Sequence, residues 1–522
     1  MTEHPFVHSD IEIPEMSLNE MLNQSVRTYT QLTAMTFAEK TFTYAELDEL
    51  VKKVASGLVE RGIGKGDKVA LMLPNCPQYP VSYYAALRCG ATIVQINPMY
   101  KPEELLHVLT DAEVKAIIIL ETLYPVLKAI ETITVLETVI QVSLTGVSDF
   151  DQLLATPKTN APDVEIDPRQ DVAVIQYTGG TTGRSKGAML THYNLVANTL
   201  QSVATASEQT KLGEERVLTI SPLFHVYGMT SAMNVTFHIG GNLILVPRFE
   251  VAEVAKIIEN LKPTTFPGVP TMYMALLHYY KEHSLDFTSL RSCTSGSAPL
   301  PVEVTNQFNT ITGTTVAEGF GLSEASPVTH RNPVNGVQKA GSIGVTIANT
   351  EASIVDIENG DVELAVGEVG ELRIRGPQIM KGYYKMPEET MRTLQNGWLY
   401  TGDLARVDED GYYFIVGRKK DLILASGFNV YPIEVEDVLY RHPDVMEAAV
   451  IGVPDSYRGE TVKAVIVRRE GAHLSEEDVI AFCREKMATY KVPTKVSFIS
   501  EMPKTAVGKI LKRELVKMEA TN

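Results

Sequence analysis

From Val69 onward, short apolar runs alternate with amphipathic stretches, and this rhythm admits few folds. Val69–Leu73, Ala91–Ile96 and Ala116–Leu120 are rich in Val, Ile, Leu and Ala and read as strands, while Tyr79–Arg88 and Pro102–Leu109 read as helices. Strands returned by helices make a mostly parallel sheet covered by helices on both faces. The rhythm resumes at Val217–Ile220, passes through a helix about Met229–Phe237, a strand at Asn242–Val246 and a helix at Val251–Asn260, and continues to Gly319. Gly90–Pro98 (GATIVQINP) and Gly240–Pro247 (GGNLILVP) look alike, as one motif used twice would.

After Pro327 the texture changes. Gly341–Tyr384 alternates in period two, with turn signals at Glu358–Asp361 and Val366–Gly370, which predicts antiparallel hairpins in a small distorted barrel. The charged run Gly417–Asp421 (GRKKD) has the composition of a hinge or of a solvated turn. Beyond it a helix (Ile433–Arg441), strands (Glu447–Gly452, Val462–Arg468), a helix (Glu476–Glu485) and a strand (Lys495–Ile499) predict a separate α+β domain. The expected fold is α/β: a large N-terminal domain, residues 1–419, of two doubly wound βαβ subdomains plus the small barrel, and a smaller α+β C-terminal lid, residues 420–522.

A formal net charge of −17 argues against nucleic acid as a partner, so an anionic substrate must find positive groups supplied locally. Cys76, Cys89, Cys293 and Cys483 form no CxxC pair and read as reduced core residues of a cytoplasmic protein. Met1–Glu20 is acidic and lacks the basic start and apolar core of an export signal, and runs such as Ala116–Leu120 are too short to span a bilayer.

Tyr177–Gly187 (YTGGTTGRSKG) packs Gly179, Gly180 and Gly183 among Thr178, Thr181, Thr182 and Ser185, then sets Lys186 before Gly187. Glycines let backbone amides close on a phosphate, hydroxyls add donors and a lysine adds a point charge, so the loop suits a polyphosphate. It is not a Walker A loop, because Lys186 follows Ser185 and precedes Gly187. Apolar segments at Val172–Gln176 and Ala188–Leu190 flank it and predict a strand–loop–strand hairpin.

Four further segments fit a nucleotide enzyme. In Glu318–Glu324 (EGFGLSE), Phe320 between Gly319 and Gly321 offers a stacking face for a base, and Glu324 beside Ser323 offers oxygen ligands to Mg²⁺. Tyr400–Asp403 (YTGD) ends on an acceptor suited to ribose hydroxyls. Pro503–Arg513 (PKTAVGKILKR) is a basic stretch, ordinarily a solvated tail, that here suits delivery of Lys509 to an anionic site. Phe224–Gly228 (FHVYG) places His225 and Tyr227 at a strand end, before the small residues Thr230, Ser231 and Ala232, although a lone His in apolar company is ordinarily a core residue.

These segments, in this order over nearly the whole chain, resemble the adenylate-forming superfamily of acyl-CoA synthetases, nonribosomal peptide synthetase adenylation domains and firefly luciferase, and bacterial long-chain fatty acid–CoA ligases most closely. The family patterns YTSGTTGxPKG, YGxTE or YGLSE, YTGD, GRxKD or GRxDD, and PKTxxGK all have counterparts here. The chain departs at Gly179 for Ser, Ser185 for Pro and Phe320 for Tyr; the last keeps the ring and loses its hydroxyl.

The resemblance implies a two-step reaction that uses ATP, Mg²⁺ and CoA. A carboxylate attacks the α-phosphate to give acyl-adenylate and pyrophosphate, and a thiol then releases AMP. It implies that Thr178, Gly179, Gly180, Thr181, Thr182, Gly183 and Lys186 hold the leaving pyrophosphate, and that Thr178 and Glu324 hold Mg²⁺. Gly296, Ser297, Ala298 and Phe320 would flank adenine, Glu318, Gly319, Gly321 and Ser323 would belong to the nucleotide site, and Asp403 and Arg418 would bind the ribose. Lys509 would stabilise the reacting α-phosphate, making Lys509, Thr178 and Glu324 the catalytic set. Lys420 would be the hinge of a rotating lid and Gly427 would face CoA. His225, Tyr227, Gly228, Val269, Gly296 and Gly321 would line the acyl pocket.

Amino-acid-activating relatives carry Asp where this chain has His225, so an uncharged acid is favoured, a fatty acid first. A 4-coumarate-like or medium-chain acid, and transfer of the acyl group to a carrier protein or to oxygen chemistry, stay open at this point. The resemblance is compatible with transient membrane association and with a homodimer.

Overall fold

The computed structural model describes residues 9–520 apart from 131–135, 158–161, 163, 179–184, 298–299, 334–335, 426–427, 456–457 and 506–507. The chain forms two compact units, Met1–Glu351 with Arg375–Gly397, and Ala352–Ile374 with Trp398–Asn522.

The first unit holds two large sheets. One has seven strands in the order Gly382–Tyr383, Lys186–Thr191, Val172–Thr178, Thr92–Gln95, Lys68–Met72, Ala116–Leu120 and Thr138–Val142. From Val172–Thr178 to Thr138–Val142 the pairings are parallel. The residues explain why: Ala116, Ile117, Ile118 and Ile119 are all fully buried, as strands covered on both faces require. The other sheet has nine strands, Val345–Thr346, Val328–Arg331, Val316–Gly321, Ser292–Ser295, Thr265–Gly268, Arg216–Thr219, Asn242–Leu245, Thr33–Phe37 and Lys40–Thr43.

The two sheets repeat one plan. About a central strand, Lys68–Met72 or Arg216–Thr219, the next strand in sequence lies on one side and the two after it on the other. The likeness of Gly90–Pro98 to Gly240–Pro247 is therefore a likeness of place. Each supplies the strand beside the centre, entered through a left-handed glycine, Gly90 at φ 74° and Gly240 at φ 75°. Because strand order reverses at each centre, each sheet opens a crevice at the carboxyl ends of its strands, where α/β sheets bind ligands.

The expected hairpins of Gly341–Tyr384 form in part: Glu351–Val355 and Gly370–Arg375 are neighbouring strands of one sheet. Val345–Thr346 joins the edge of the nine-stranded sheet, Gly382–Tyr383 pairs with Lys186–Thr191, and Gly370–Arg375 pairs on its other side with the long strand Trp398–Val407. Period-two alternation identifies a strand but not its partner. The helix expected at Met229–Phe237 starts two residues earlier as a π-helix, Tyr227–Asn234, and finishes as the α-helical turn Val235–His238.

In the second unit, Ile423–Ala425, Phe428–Val430, Val445–Asp455, Gly459–Arg468 and Lys495–Phe498 form a five-stranded sheet packed with helices Pro432–Leu439 and Glu476–Arg484. The basic stretch at its end is not a solvated tail. Leu515, on the helix Lys512–Ala520, is 2% exposed and packs with Met502, Ala449 and Ile451. Lys504 and Lys512 are neutralised by Glu447 and Glu436.

Candidate active site

Four loops meet at the carboxyl ends of the nine-stranded sheet. His225 follows Arg216–Thr219, Val269 follows Thr265–Gly268, Gly296 and Ser297 follow Ser292–Ser295, and Phe320 and Gly321 end Val316–Gly321. These strands are neighbours, so segments remote in sequence converge at one sheet edge. Half-buried His225 accepts the Tyr227 backbone N–H at Nδ1 (3.3 Å). The Tyr227 hydroxyl lies 3.0 Å from Thr294 Oγ1, its ring borders Gly296, and burial pushes its pKa up to about 12, so it stays a neutral phenol. A Cβ on Gly228 would stand 2.2 Å from the Pro222 carbonyl oxygen, so only glycine allows the π-helix to start this close to the preceding loop. π-Helical turns recur at functional sites.

Phe320 is half-buried and meets the His330 ring edge-on at 6.2 Å. Ser297 holds a left-handed backbone at φ 70°, unusual for a residue with a side chain. Glu318, Gly319 and Phe320 lie on the strand, and Ser323 and Glu324 on the short 3₁₀ turn Ser323–Ala325. Opposite Gly319 stands Arg331, which sequence reasoning missed; its buried Nε has no hydrogen-bond partner among the described residues.

The hairpin expected around the glycine-rich loop is present, with Thr178 paired to Lys186 across antiparallel strands. Gly179, Gly180, Thr181, Thr182 and Gly183 lie outside the described residues, as do Ala298 and Gly427. The Lys186 ammonium is ion-paired with Glu389 and sits 5.3 Å from the Tyr383 ring centre; burial first, then Arg392, lowers its pKa. The Tyr383 hydroxyl donates to Glu324 Oε1 at 2.7 Å, so one tyrosine touches the surroundings of both predicted phosphate-site residues. Tyr383 comes from the segment that read as barrel and Glu389 from the helix Pro387–Thr393 beyond it, and no local pattern marked either.

The second unit gathers three motifs. Asp403 and Arg418 face each other across adjacent strands, with Arg418 Nε 2.6 Å from Asp403 Oδ1. Gly402 takes a left-handed turn at φ 70°, and its N–H donates to Glu371 Oε1 at 3.1 Å. The other Glu371 oxygen accepts Lys419 Nζ at 2.8 Å, so an unforeseen, nearly buried carboxylate braces YTGD against GRKKD. Lys420 occupies the short 3₁₀ turn Lys419–Asp421. Lys509 follows left-handed Gly508 and donates its backbone N–H to Thr505 Oγ1 at 3.1 Å. The residue as a whole is exposed, yet its ammonium is held down to about 8, first by the Arg418 guanidinium and then by desolvation, with Asp403 and Asp421 opposing. A lysine stationed beside Asp403 and Arg418, crowded by positive charge, is poised for an anionic ligand.

A family model described as AMP-binding enzyme matches residues 22–384, and one described as AMP-binding enzyme C-terminal domain matches residues 434–509. The long-chain-fatty-acid–CoA ligase of Bacillus subtilis is 43% identical, over 100% of this chain and 98% of that protein. The long-chain-fatty-acid–CoA ligase of Escherichia coli O157:H7 is 39% identical, over 96% of this chain and 94% of that protein. The solved structure of ATP-bound MatB from Rhodopseudomonas palustris matches with a TM-score of 0.88 at 33% identity, over 96% of this chain and 99% of that one. The sheets, the motifs and these full-length matches agree: the chain belongs to the AMP-binding enzyme family, the adenylate-forming ligases.

Proposed function

We propose that the protein is an ATP-dependent long-chain fatty acid–CoA ligase, forming acyl-CoA, AMP and pyrophosphate through an acyl-adenylate. The observation that carries the chemistry is the grouping of Asp403, Arg418 and Lys509, which puts a carboxylate acceptor suited to ribose, its guanidinium partner and a lysine cation in one place. The choice of acid rests on His225, which provides no countercharge for an amino acid's ammonium, and on the full-length likeness to fatty acid ligases.

In this mechanism Phe320, with Gly296 and Ser297, flanks adenine, and Asp403 and Arg418 hold the ribose. The Thr178–Lys186 hairpin and the Lys186 charge steady the leaving pyrophosphate. The acid lies against His225, Tyr227, Gly228, Val269 and Gly321, its carboxylate turned to the α-phosphorus. As oxygen attacks, Lys509 stabilises the charge that develops there. Among the described residues no three His, Cys, Asp or Glu side chains cluster as a metal cage. A magnesium site shared with a triphosphate needs only one or two protein oxygens, and Glu324 with the Thr178 hydroxyl fits that demand. Bound there, Mg²⁺ would neutralise phosphate charge. Lys420 is the hinge about which residues 420–522 turn between the half-reactions, and Gly427 then lines the path of the CoA thiol.

The four cysteines are free and buried, which fits a reducing cytoplasm, and no helix among the described residues is long and apolar enough to cross a membrane. Incubation with ATP, Mg²⁺, palmitate and CoA should yield AMP, pyrophosphate and palmitoyl-CoA in equal amounts. ADP as the main product would overturn the adenylating mechanism, and acid-dependent AMP without a need for CoA would point to another acceptor.

A further inference from the structure

The seven-stranded sheet repeats the plan of the nine-stranded one, so it too has a crevice at the carboxyl ends of its strands. That crevice is filled by the other sheet's loop. Asn75, just past Lys68–Met72, donates through Nδ2 to the carbonyls of Thr219 (3.1 Å), Ile220 (3.2 Å) and Ser221 (3.1 Å). Its Oδ1 accepts the Leu223 N–H at 2.9 Å. On the next two strands Gln95 and Gln176 stand in register, and their Nε2 atoms donate to the carbonyls of Leu223 and Phe224, both at 3.3 Å. Three side-chain amides from three adjacent strands thus hold the backbone of residues 219–224, ending at the residue before His225.

All three amides are nearly inaccessible, at 2%, 2% and 4% exposure for Asn75, Gln95 and Gln176. The Oε1 atoms of Gln95 and Gln176 are buried without a hydrogen-bond partner among the described residues. A buried amide with one side unsatisfied is a costly way to fill a core that methionine or leucine would fill better. What each glutamine contributes is its donor, which Gln176 gives to the Phe224 carbonyl and Gln95 to the Leu223 carbonyl and, at 3.0 Å, to the Met229 sulfur on the π-helix that follows.

We infer that Asn75, Gln95 and Gln176 are positioning residues that set where His225 and Tyr227 stand, and so tune which acid is accepted. The inference rests on the reading of His225 as part of the acyl pocket. It makes the duplicated crevice a cradle for the acid loop, with Gln176 also tying that loop to the strand that leads into Thr178.

Gln95→Met and Gln176→Met keep side-chain volume and remove one donor each. Loss of one hydrogen bond at a loop anchor should raise the KM for palmitate roughly three- to tenfold and shift the chain-length profile, with the KM for ATP within about twofold of the parent. In a His225→Ala background the same substitutions should shrink in effect by half or more, because they act through that residue. A lowered unfolding midpoint with unchanged acid kinetics, or full additivity with His225→Ala, overturns the inference while leaving the ligase reading intact. A parent protein that forms no AMP from any acid overturns the ligase reading and the inference with it.

Discussion

Lys509 shows at the scale of one residue how a charge is held in reserve. With its pKa lowered to about 8, the ammonium is destabilised by its own surroundings, first by the Arg418 guanidinium. An unfolded lysine titrates near about 10.4, so between the two values the unfolded chain binds more protons and stability rises with pH. The penalty is fully present below the folded value. Lys509→Met should therefore raise the unfolding midpoint of the nucleotide-free protein at neutral pH, and the gain over the parent should fade as pH climbs through about 8. Differential scanning calorimetry across that range checks the sign; a gap that widens with pH refutes it. Lys509→Ala should also slow acyl-adenylate formation by roughly 10²–10³-fold, the usual cost of one preorganised electrostatic stabiliser, measured by pyrophosphate release in a single turnover. Lys509, Asp403 and Glu324 stood out as candidates in the sequence because each lies in a motif that resembles the family's. Glu371, Tyr383 and Asn75 were not, since each acts through a contact that exists only after distant strands meet.

At the scale of elements, the strands of both large sheets were legible because buried parallel strands are nearly continuous apolar runs. The two-plan repeat was visible in the paired segments Gly90–Pro98 and Gly240–Pro247. Beyond Pro327 the neighbouring of Glu351–Val355 and Gly370–Arg375 was legible but the partners of Val345–Thr346 and Gly382–Tyr383 were not, and neither was the π-helix Tyr227–Asn234, since a widened turn leaves no separate period in so short a stretch. That turn makes a sharp prediction. Gly228→Ala would drive a Cβ to within 2.2 Å of the Pro222 carbonyl oxygen, a backbone atom with no rotamer to yield. The start of the helix must shift, carrying Tyr227 away from Thr294. Overpacking of this kind costs about 1–3 kcal/mol, so the variant should fold with a lowered midpoint and lose most activity on palmitate. Its affinity for ATP, measured by calorimetric titration, should change little, because Asp403, Arg418 and Phe320 belong to other elements. Equal loss of ATP and acid binding would mean that the turn supports the whole site rather than the acyl pocket.

At the scale of the molecule, two chemically different half-reactions must be served by one set of motifs, and the turn Lys419–Asp421 is where the change is proposed to occur. Lys509 lies among the charges of Asp403, Arg418, Lys420 and Asp421, the surroundings proposed to serve adenylation. Proline holds φ near about −65°, inside the range of a 3₁₀ turn, and removes rotation about that bond. Lys420→Pro fixes φ within the turn Lys419–Asp421 and obstructs any state that needs a different φ at that residue. Adenylation, followed as pyrophosphate release from ATP and palmitate, should stay within a few fold of the parent. Transfer from synthetic palmitoyl-adenylate to CoA should fall by about tenfold or more, as it does when a hinge is locked and the step beyond it is starved. Lys509→Ala should show the opposite split, slow in the first assay and near normal in the second, so the two variants form a crossed pair. If Lys420→Pro slowed both steps alike, or spared both, Lys420 would be a surface residue of a rigid turn and the two half-reactions would have to share one arrangement.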